Sequence, residues 1–301
     1  MTRRWILDHL SEPTFERLAT ELSGAELTSV LLEVMQHRAN ARSPADVLAQ
    51  YQRDGFCRPA PIDQRVSVAI DGHLLAAAAG FEAIELSPVA PLATCSSVGP
   101  TAQHRVLSAL RSTEIVADPT NVLALECAVR LRAGAAAVHL ATSQRVIRAQ
   151  PVPKLPGYSS HFRIFVLASG GLEAQDHAFT AATFEHHIRT MLGALARLEA
   201  HGYAFGARHV DLLATPARAA LADRIAAALG DICVHRKPLE HPYYSGGLRY
   251  MVWVTAPDGS QVPLIDGGSF DWLTKLTSNR RAVYLASGTG AQLIAFRFRA
   301  A

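Results

Sequence analysis

Hydrophobic residues first recur at three- and four-residue intervals. "SEPTFERLATEL", "GAELTSVLLEVMQHRANA" and "SPADVLAQYQRDG" each carry this helical period, the last with a Ser-Pro start and Gly55 as its stop, so residues 1–58 read as a helical N-terminal extension. "DQRVSVAIDGHLLAAAAGFEAIELSPVAPL" continues with a long amphipathic helix, a break at Gly80 and a strand "FEAIEL" that ends at Ser87-Pro88. Residues 93–112 are polar and without period. "EIVADPTNVLALECAVRLRAG" then gives a short strand, a turn at Asp118-Pro119 and a helix capped by Asp118 or Thr120 and closed by Gly134.

In the second half the period changes to two. "AAVHLATSQRVIRAQ" and "HFRIFVLA" predict a long hairpin around the proline-rich loop 151–160, and "AFTAATFEHHIRTMLGALARLEAHG" predicts a helix with Phe184, Ile188, Met191, Leu192 and Leu195 on one face. "HVDLLAT" reads as a strand, "AALADRIAAALGD" as a helix, and "YYSGGLRYMVWVTAPDGSQVPLIDGG" as a hairpin about Pro257-Asp258-Gly259. "RAVYLASGTGAQLIAFRF" gives a last strand, a glycine turn and a helix. Strands that pair mainly through hairpins predict an α+β fold, an antiparallel sheet flanked by helices, over residues 59–301.

Composition narrows the function classes. With 49% hydrophobic residues in 301 the chain can bury a sizeable core, and its net charge of +3 is spread without a like-charged block, so neither DNA nor tRNA is expected as a partner. No window approaches eighteen apolar residues and "MTRRWILDHL" reaches Asp8 after three, which predicts no membrane partner and a soluble cytoplasmic protein. The 4 cysteines lie far apart and read as reduced core thiols. Among 13 histidines, His186 and His187 are adjacent; helical neighbours diverge by about 100°, so they cannot chelate one ion as an i, i+4 pair would, and no metal site is expected.

Two arginines stand out, Arg148 in "VIRAQ" and Arg163 in "HFRIFVL", because each interrupts an apolar strand. An edge-strand arginine paired with a surface acid is the ordinary explanation. Arg148 is read as mid-strand, with Gln150 on its own face two residues on.

The order of these segments resembles the class II aminoacyl-tRNA synthetases over about residues 60 to 300. "IDGHLLAAAAGFEAIELSP" looks like their motif 1, "QRVIRAQ" with "HFRIFVL" like the motif 2 hairpin, and "AVYLASGTGAQLIAF" like motif 3. The histidyl type fits best, since "VADPTNVLALECA" resembles its amine-holding segment, "HPYYSGGLRY" its tyrosine pair and "IDGGSFDWL" its Gly-Gly-aromatic-Asp turn. The resemblance implies a homodimer through residues 62–88 and a nucleotide site made of Arg148, Gln150, Phe162, Gly288, Gly290 and Gln292, with ATP and Mg as the implied cofactors. In it Arg148 is the catalytic residue, clamping the α-phosphate, and Phe162 stacks under adenine. It also implies a substrate site of Glu114, Asp118, Thr120, Arg163, Tyr243, Tyr244 and Ser245, in which Asp118 and Thr120 hold the substrate amine.

Each assignment has a competing explanation. Asp118 and Thr120 serve equally as a helix cap, and Tyr243 and Tyr244 as hairpin core. Period-two alternation sets Phe162 and Arg163 on opposite faces, so only one of them can line a pocket. If it is Phe162, then Ile164, Val166 and Ala168 follow on the pocket side, an apolar wall that leaves an imidazole's nitrogens unpaired and speaks against histidine as substrate. The motif 3 arginine falls near Gln292, and the histidyl-type arginine near Leu239 with Arg236 as a substitute, which removes charge from a triphosphate clamp. "SGTGAQ" read as a phosphate-cradling loop lacks the full glycine pattern and the lysine such loops carry.

The expected protein is therefore a stand-alone paralogue of the synthetase core, without the anticodon-binding module. It binds a small amino or carboxylic acid with ATP and activates the carboxylate. The alternative is a non-catalytic regulatory or scaffold subunit similar to that of ATP phosphoribosyltransferase; a third is an unrelated α+β enzyme with coincidental motifs.

Overall fold

The computed structural model describes residues 8–153, 155 and 157–300; the opening residues read above for targeting, and two positions of the proline-rich loop, lie outside them. The chain begins with helices α1 (Glu12–Glu16), α2 (Gly24–Asn40) and α3 (Pro44–Arg53). Ser23 with Glu26 and Ser43 with Asp46 form capping boxes that satisfy the first amides of α2 and α3. None of the three helices contains a buried residue. Their apolar positions, Val34, Met35, Val47, Leu48 and Tyr51 among them, face outward.

Next come α4 (Gln64–Ala77), β1 (Glu82–Ala83), β2 (Val89–Pro91), β3 (Ser108–Ala109), β4 (Thr113–Ile115), α5 (Pro119–Arg132), β5 (Ala137–Ile147) and β6 (His161–Leu172). They are followed by α6 (Ala178–Glu199), β7 (Arg208–Ala214), α7 (Ala219–Ala228), β8 (Val234–Pro238), β9 (Leu248–Thr255), β10 (Gln261–Phe270), α8 (Trp272–Thr277), β11 (Ala282–Thr289) and α9 (Ala291–Arg297). Among the described residues no helix is long and apolar enough to cross a membrane.

The main sheet has the order β1-β5-β6-β11-β10-β9-β7-β8. Its inner strands, β5 to β7 in that order, are antiparallel as expected. The two edges depart from expectation: β1 and β8 each pair parallel with their neighbour. The strand expected over "FEAIEL" is only two residues long, and β8 and α8 were not expected at all; β8 is a mostly exposed, polar strand with no alternation to reveal it. The stretch read as irregular contributes β3 to a second small sheet, β2-β4-β3, whose other two strands flank it.

One face of the main sheet is sealed by α4, α6 and α7 over Ile70, Leu74, Phe184, Ile188, Met191 and Tyr250. On the other face α5 and α8 cover Leu140, Val166, Phe270 and Tyr284 with Leu123, Cys127 and Trp272. That cover is partial, which leaves a concave region over β6, β11 and β10. Cys95 and Cys127 are buried thiols, whereas Cys57 and Cys233 are exposed, a correction to the expectation of four core cysteines.

The helical period separates His186 from His187 as the 100° argument requires. His186 stacks on Phe81, while His187 is buried and bonded through Nε2 to Ser169 Oγ and through Nδ1 to Ser287 Oγ, both at 2.8 Å. Burial holds the His187 pKa well below its ordinary value, the neighbouring His186 and His139 adding to the effect. The folded ring is therefore neutral where the unfolded one takes a proton, so stability is present above pH ~6.5 and lost as pH falls, by about 1.4 kcal/mol per pH unit for each proton. The urea midpoint should drop between pH 7.5 and 5.5, and His187→Gln should flatten that dependence. An unchanged slope in the variant would place the pH sensitivity elsewhere.

Candidate functional site

A cavity of about 560 Å³ opens on the partly covered face. Its geometry begins with β6, whose alternation puts Phe162 and Ile164 on the cavity and Arg163 on the opposite face. There Arg163 pairs with Asp71 of α4 at 3.0 Å and donates to Ser143 O at 3.1 Å. Burial raises the Asp71 carboxyl above its ordinary value, against the hydrogen bond from Ser143 and the charge of Arg163. Arg163 is thus an inter-element clamp, which corrects its expected place in the substrate site.

Arg148 is not mid-strand: it is the first residue past β5, where its amide still pairs with Ser160 O and the next amide with Arg105 O. That position lets its side chain turn over the end of the sheet. Nε donates to Ala117 O at 3.0 Å, and the guanidinium lies 5.2 Å from the centre of the Phe162 ring. Among the described residues these are its contacts, so the two terminal nitrogens remain available to the cavity.

Opposite, Asp118 caps α5 by accepting from Thr120 N at 3.0 Å and Thr120 Oγ1 at 2.8 Å, and its other oxygen accepts from Tyr243 Oη at 3.3 Å. The helix cap at Asp118 and Thr120 is therefore also part of the cavity wall. Burial, reinforced by the charge of Asp118, pushes the Tyr243 phenol well above its ordinary range, which keeps it a neutral donor. Tyr244 is raised likewise, by burial and then by Asp266. Gly268 admits Tyr244, because a Cβ there would run into the ring.

Gln150, Thr120, Tyr243, Tyr244, Gly288 and Gly290 also line the cavity. Gln292 lies in an adjoining recess shared with Arg148 and Phe162; its buried amide donates to Gly157 O at 3.3 Å and Ser159 Oγ at 3.1 Å, tying the β5–β6 loop to α9. Two expected substrate residues lie elsewhere. Glu114 is fully buried beneath the 93–95 turn, and Ser245 bonds to Asp271 at 2.6 Å beside a separate recess. Leu239 is core, and Arg236 is held by Asp223 and Ala219 O, so neither position supplies a cation to the cavity.

Arg105, Tyr158, His241, Arg249 and Asp266 line the cavity without having been singled out. Arg249 grips Asp266 through two bonds of 2.9 and 2.8 Å and lies 4.8 Å from the Tyr244 ring centre. A charged residue inside "LRYMVWV" is the same signal that marked Arg148; Arg105 sits in the irregular stretch and gives none. Ile164, Leu264, Phe270 and Ala286 supply an apolar wall.

Neither a protein-family model nor any curated protein matches this chain. Solved structures do. An ATP phosphoribosyltransferase regulatory subunit/histidyl-tRNA synthetase from Bacillus halodurans C matches with a TM-score of 0.59 at 14% identity, over 78% of this chain and 80% of that one. Apo histidyl-tRNA synthetase of S. aureus gives 0.56 at 11%, over 77% and 64%. A histidine–tRNA ligase subunit from Alicyclobacillus acidocaldarius gives 0.57 at 13%, over 80% and 95%. The chain shares the fold of these histidyl-tRNA synthetase-like, class II synthetase-like structures, as the order of the sequence segments implied.

Proposed function

We propose that the cavity binds a small amino acid or carboxylic acid, with its carboxylate on Arg148, its amine on Asp118 and its side chain against Ile164, Phe270 and Ala286. The observation that carries this reading is charge placement. A guanidinium fork and a carboxylate border one cavity without pairing with each other, among the described residues, which suits a ligand that carries both opposite charges. Ile164, Phe270 and Ala286 offer no partner to ring nitrogens, which favours an apolar side chain over an imidazole against that wall.

ATP is the second ligand in this proposal, its phosphates meeting Arg148 and Arg105 and its adenine Phe162. In that case the carboxylate oxygen attacks the α-phosphorus, pyrophosphate leaves, and Arg148 meets the charge that develops. Adenine stacking first requires Arg148 to leave the ring it now covers. The donor set does not fit Mg2+: Asp266 is bound by Arg249, and Asp118 already accepts three hydrogen bonds. Gln292, neutral and committed to the loop, favours the second reading, a non-catalytic regulatory or scaffold subunit that senses the ligand.

Calorimetry with amino acids and their des-amino carboxylic acids tests the proposal. Asp118→Asn keeps a good helix cap while removing the charge. It should weaken amino acids about tenfold, the effect of a 1.4 kcal/mol loss, and spare the matching carboxylic acids. No binding by either series, or equal losses for both, would sink the assignment. Amino-acid-dependent pyrophosphate exchange then separates activation from sensing.

A further inference from the structure

On the same sheet face, at its β7–β8 edge two strands from the cavity residue Asp266, strand register gathers a second group of side chains. His209 and Asp211 stand two residues apart on one face of β7, and Asp211 is in register with His235 on the parallel edge strand β8. His209 Nε2 and His235 Nδ1 each lie 3.6 Å from Asp211 Oδ1, and one ligand atom from each residue lies within 4.8 Å of the others.

We propose that His209, Asp211 and His235 bind one divalent ion of the zinc class. The separations of 3.6 Å are too long for hydrogen bonds. They are close to the edge of a tetrahedron whose metal–ligand bonds are about 2.0–2.1 Å, roughly 3.3 Å.

The second observation is an unpaired atom. Asp211 is 1% exposed, and its Oδ1 has no hydrogen-bond partner among the described residues, although its Oδ2 accepts from Lys237 Nζ at 2.7 Å. The buried Oδ1, aimed between two imidazoles, is left without a partner even though Lys237 holds the other oxygen, and a metal ion supplies one.

The surroundings orient the ligands. The His209 ring runs parallel to the Trp253 indole, with 6° between planes and 6.4 Å between centres. His235 turns Nε2 toward Cys233 Sγ at 3.6 Å, which leaves Nδ1 for the ion, in the way that metal-bound imidazoles use their second nitrogen. Lys237 fixes Asp211 as a one-oxygen ligand. Two imidazoles and a single carboxylate oxygen suit Zn2+ or Co2+ and not Mg2+ or Ca2+, which demand more oxygen. The half-exposed His235 leaves one side open to water or to a small anionic ligand on the ion.

The intact chain, stripped with a chelator and dialysed, tests this by calorimetry with Zn2+ and by the visible absorption of Co2+. One equivalent should bind, with Co2+ bands of a four-coordinate N/O site, and excess Mg2+ should not compete. His235→Ala, on a half-exposed edge position that tolerates truncation, should weaken Zn2+ at least tenfold. Asp211→Asn should do the same wherever it folds, while Cys57→Ser changes nothing. Absence of saturable binding would overturn the proposal, as would Zn2+ affinity that His235→Ala leaves unchanged, which would assign the ion to other histidines.

Discussion

Replacing Arg148 by alanine is expected to weaken ligand binding about 100-fold and to cost the fold only about 1.5–2 kcal/mol. A hydrogen bond to a charged group contributes about 1.5–3 kcal/mol, and a bidentate fork on a carboxylate or phosphate lies at the upper end, where 2.7 kcal/mol is two decades of affinity. The small cost to the fold follows from how the side chain is held. Among the described residues it makes one hydrogen bond, to Ala117 O, and one ring contact, to Phe162, while the hairpin closure at this position uses the backbone amide, which alanine keeps. Arg148→Lys should fall between the two, because it retains the charge without the planar fork. Calorimetry and urea unfolding on the same samples check both halves. Unaltered affinity would remove Arg148 from the site.

Arg148 and Arg163 carried the same signal in the sequence, a charge inside an apolar run, yet only one reaches the cavity. What separates them is a contact between distant parts of the chain: Arg163 is claimed by Asp71 on α4, and nothing near Arg163 in sequence announces that partner. The alternation of β6 did present the choice correctly, since Phe162 and Arg163 had to point apart, but alternation alone does not say which face a helix will cover. Helices and hairpins were legible because each is dictated by local periodicity and turn residues, whereas the β6–β11 and β7–β9 pairings join strands distant in sequence and were not. Nor were the parallel edge strands: β1 is two residues long, and β8 is polar and largely exposed, so neither buries enough to leave a pattern. For the same reason the group His209, Asp211 and His235 is invisible until β8 is placed in register with β7. Gln292 shows the reverse case. Its departure from the resembled pattern was plain, whereas its job of tying the β5–β6 loop to α9 required the fold.

Glu114→Ala should destabilise the protein by about 3–5 kcal/mol, the opposite behaviour to Arg148→Ala. Glu114 sits at the centre of β4, paired with Ala90 on β2 and Ser108 on β3, and it is wholly buried. Its carboxylate accepts from Ala93 N and Cys95 N at 2.9 Å and from Gln103 Nε2 at 2.8 Å. Ala93 has a left-handed backbone, φ 72°, a conformation that a non-glycine residue holds only when its surroundings impose it. Truncation strands three donors, each costing about 1–3 kcal/mol, and releases that turn. Glu114→Gln, whose amide nitrogen would face donors, should be intermediate. Because Glu114 lies beneath the turn and not on the cavity, the folded fraction of Glu114→Gln should bind ligand with parent affinity, which urea unfolding and calorimetry measure separately. A Glu114 variant that kept full stability and lost only binding would restore the residue to the substrate site, and would mean that the cavity wall extends to β4.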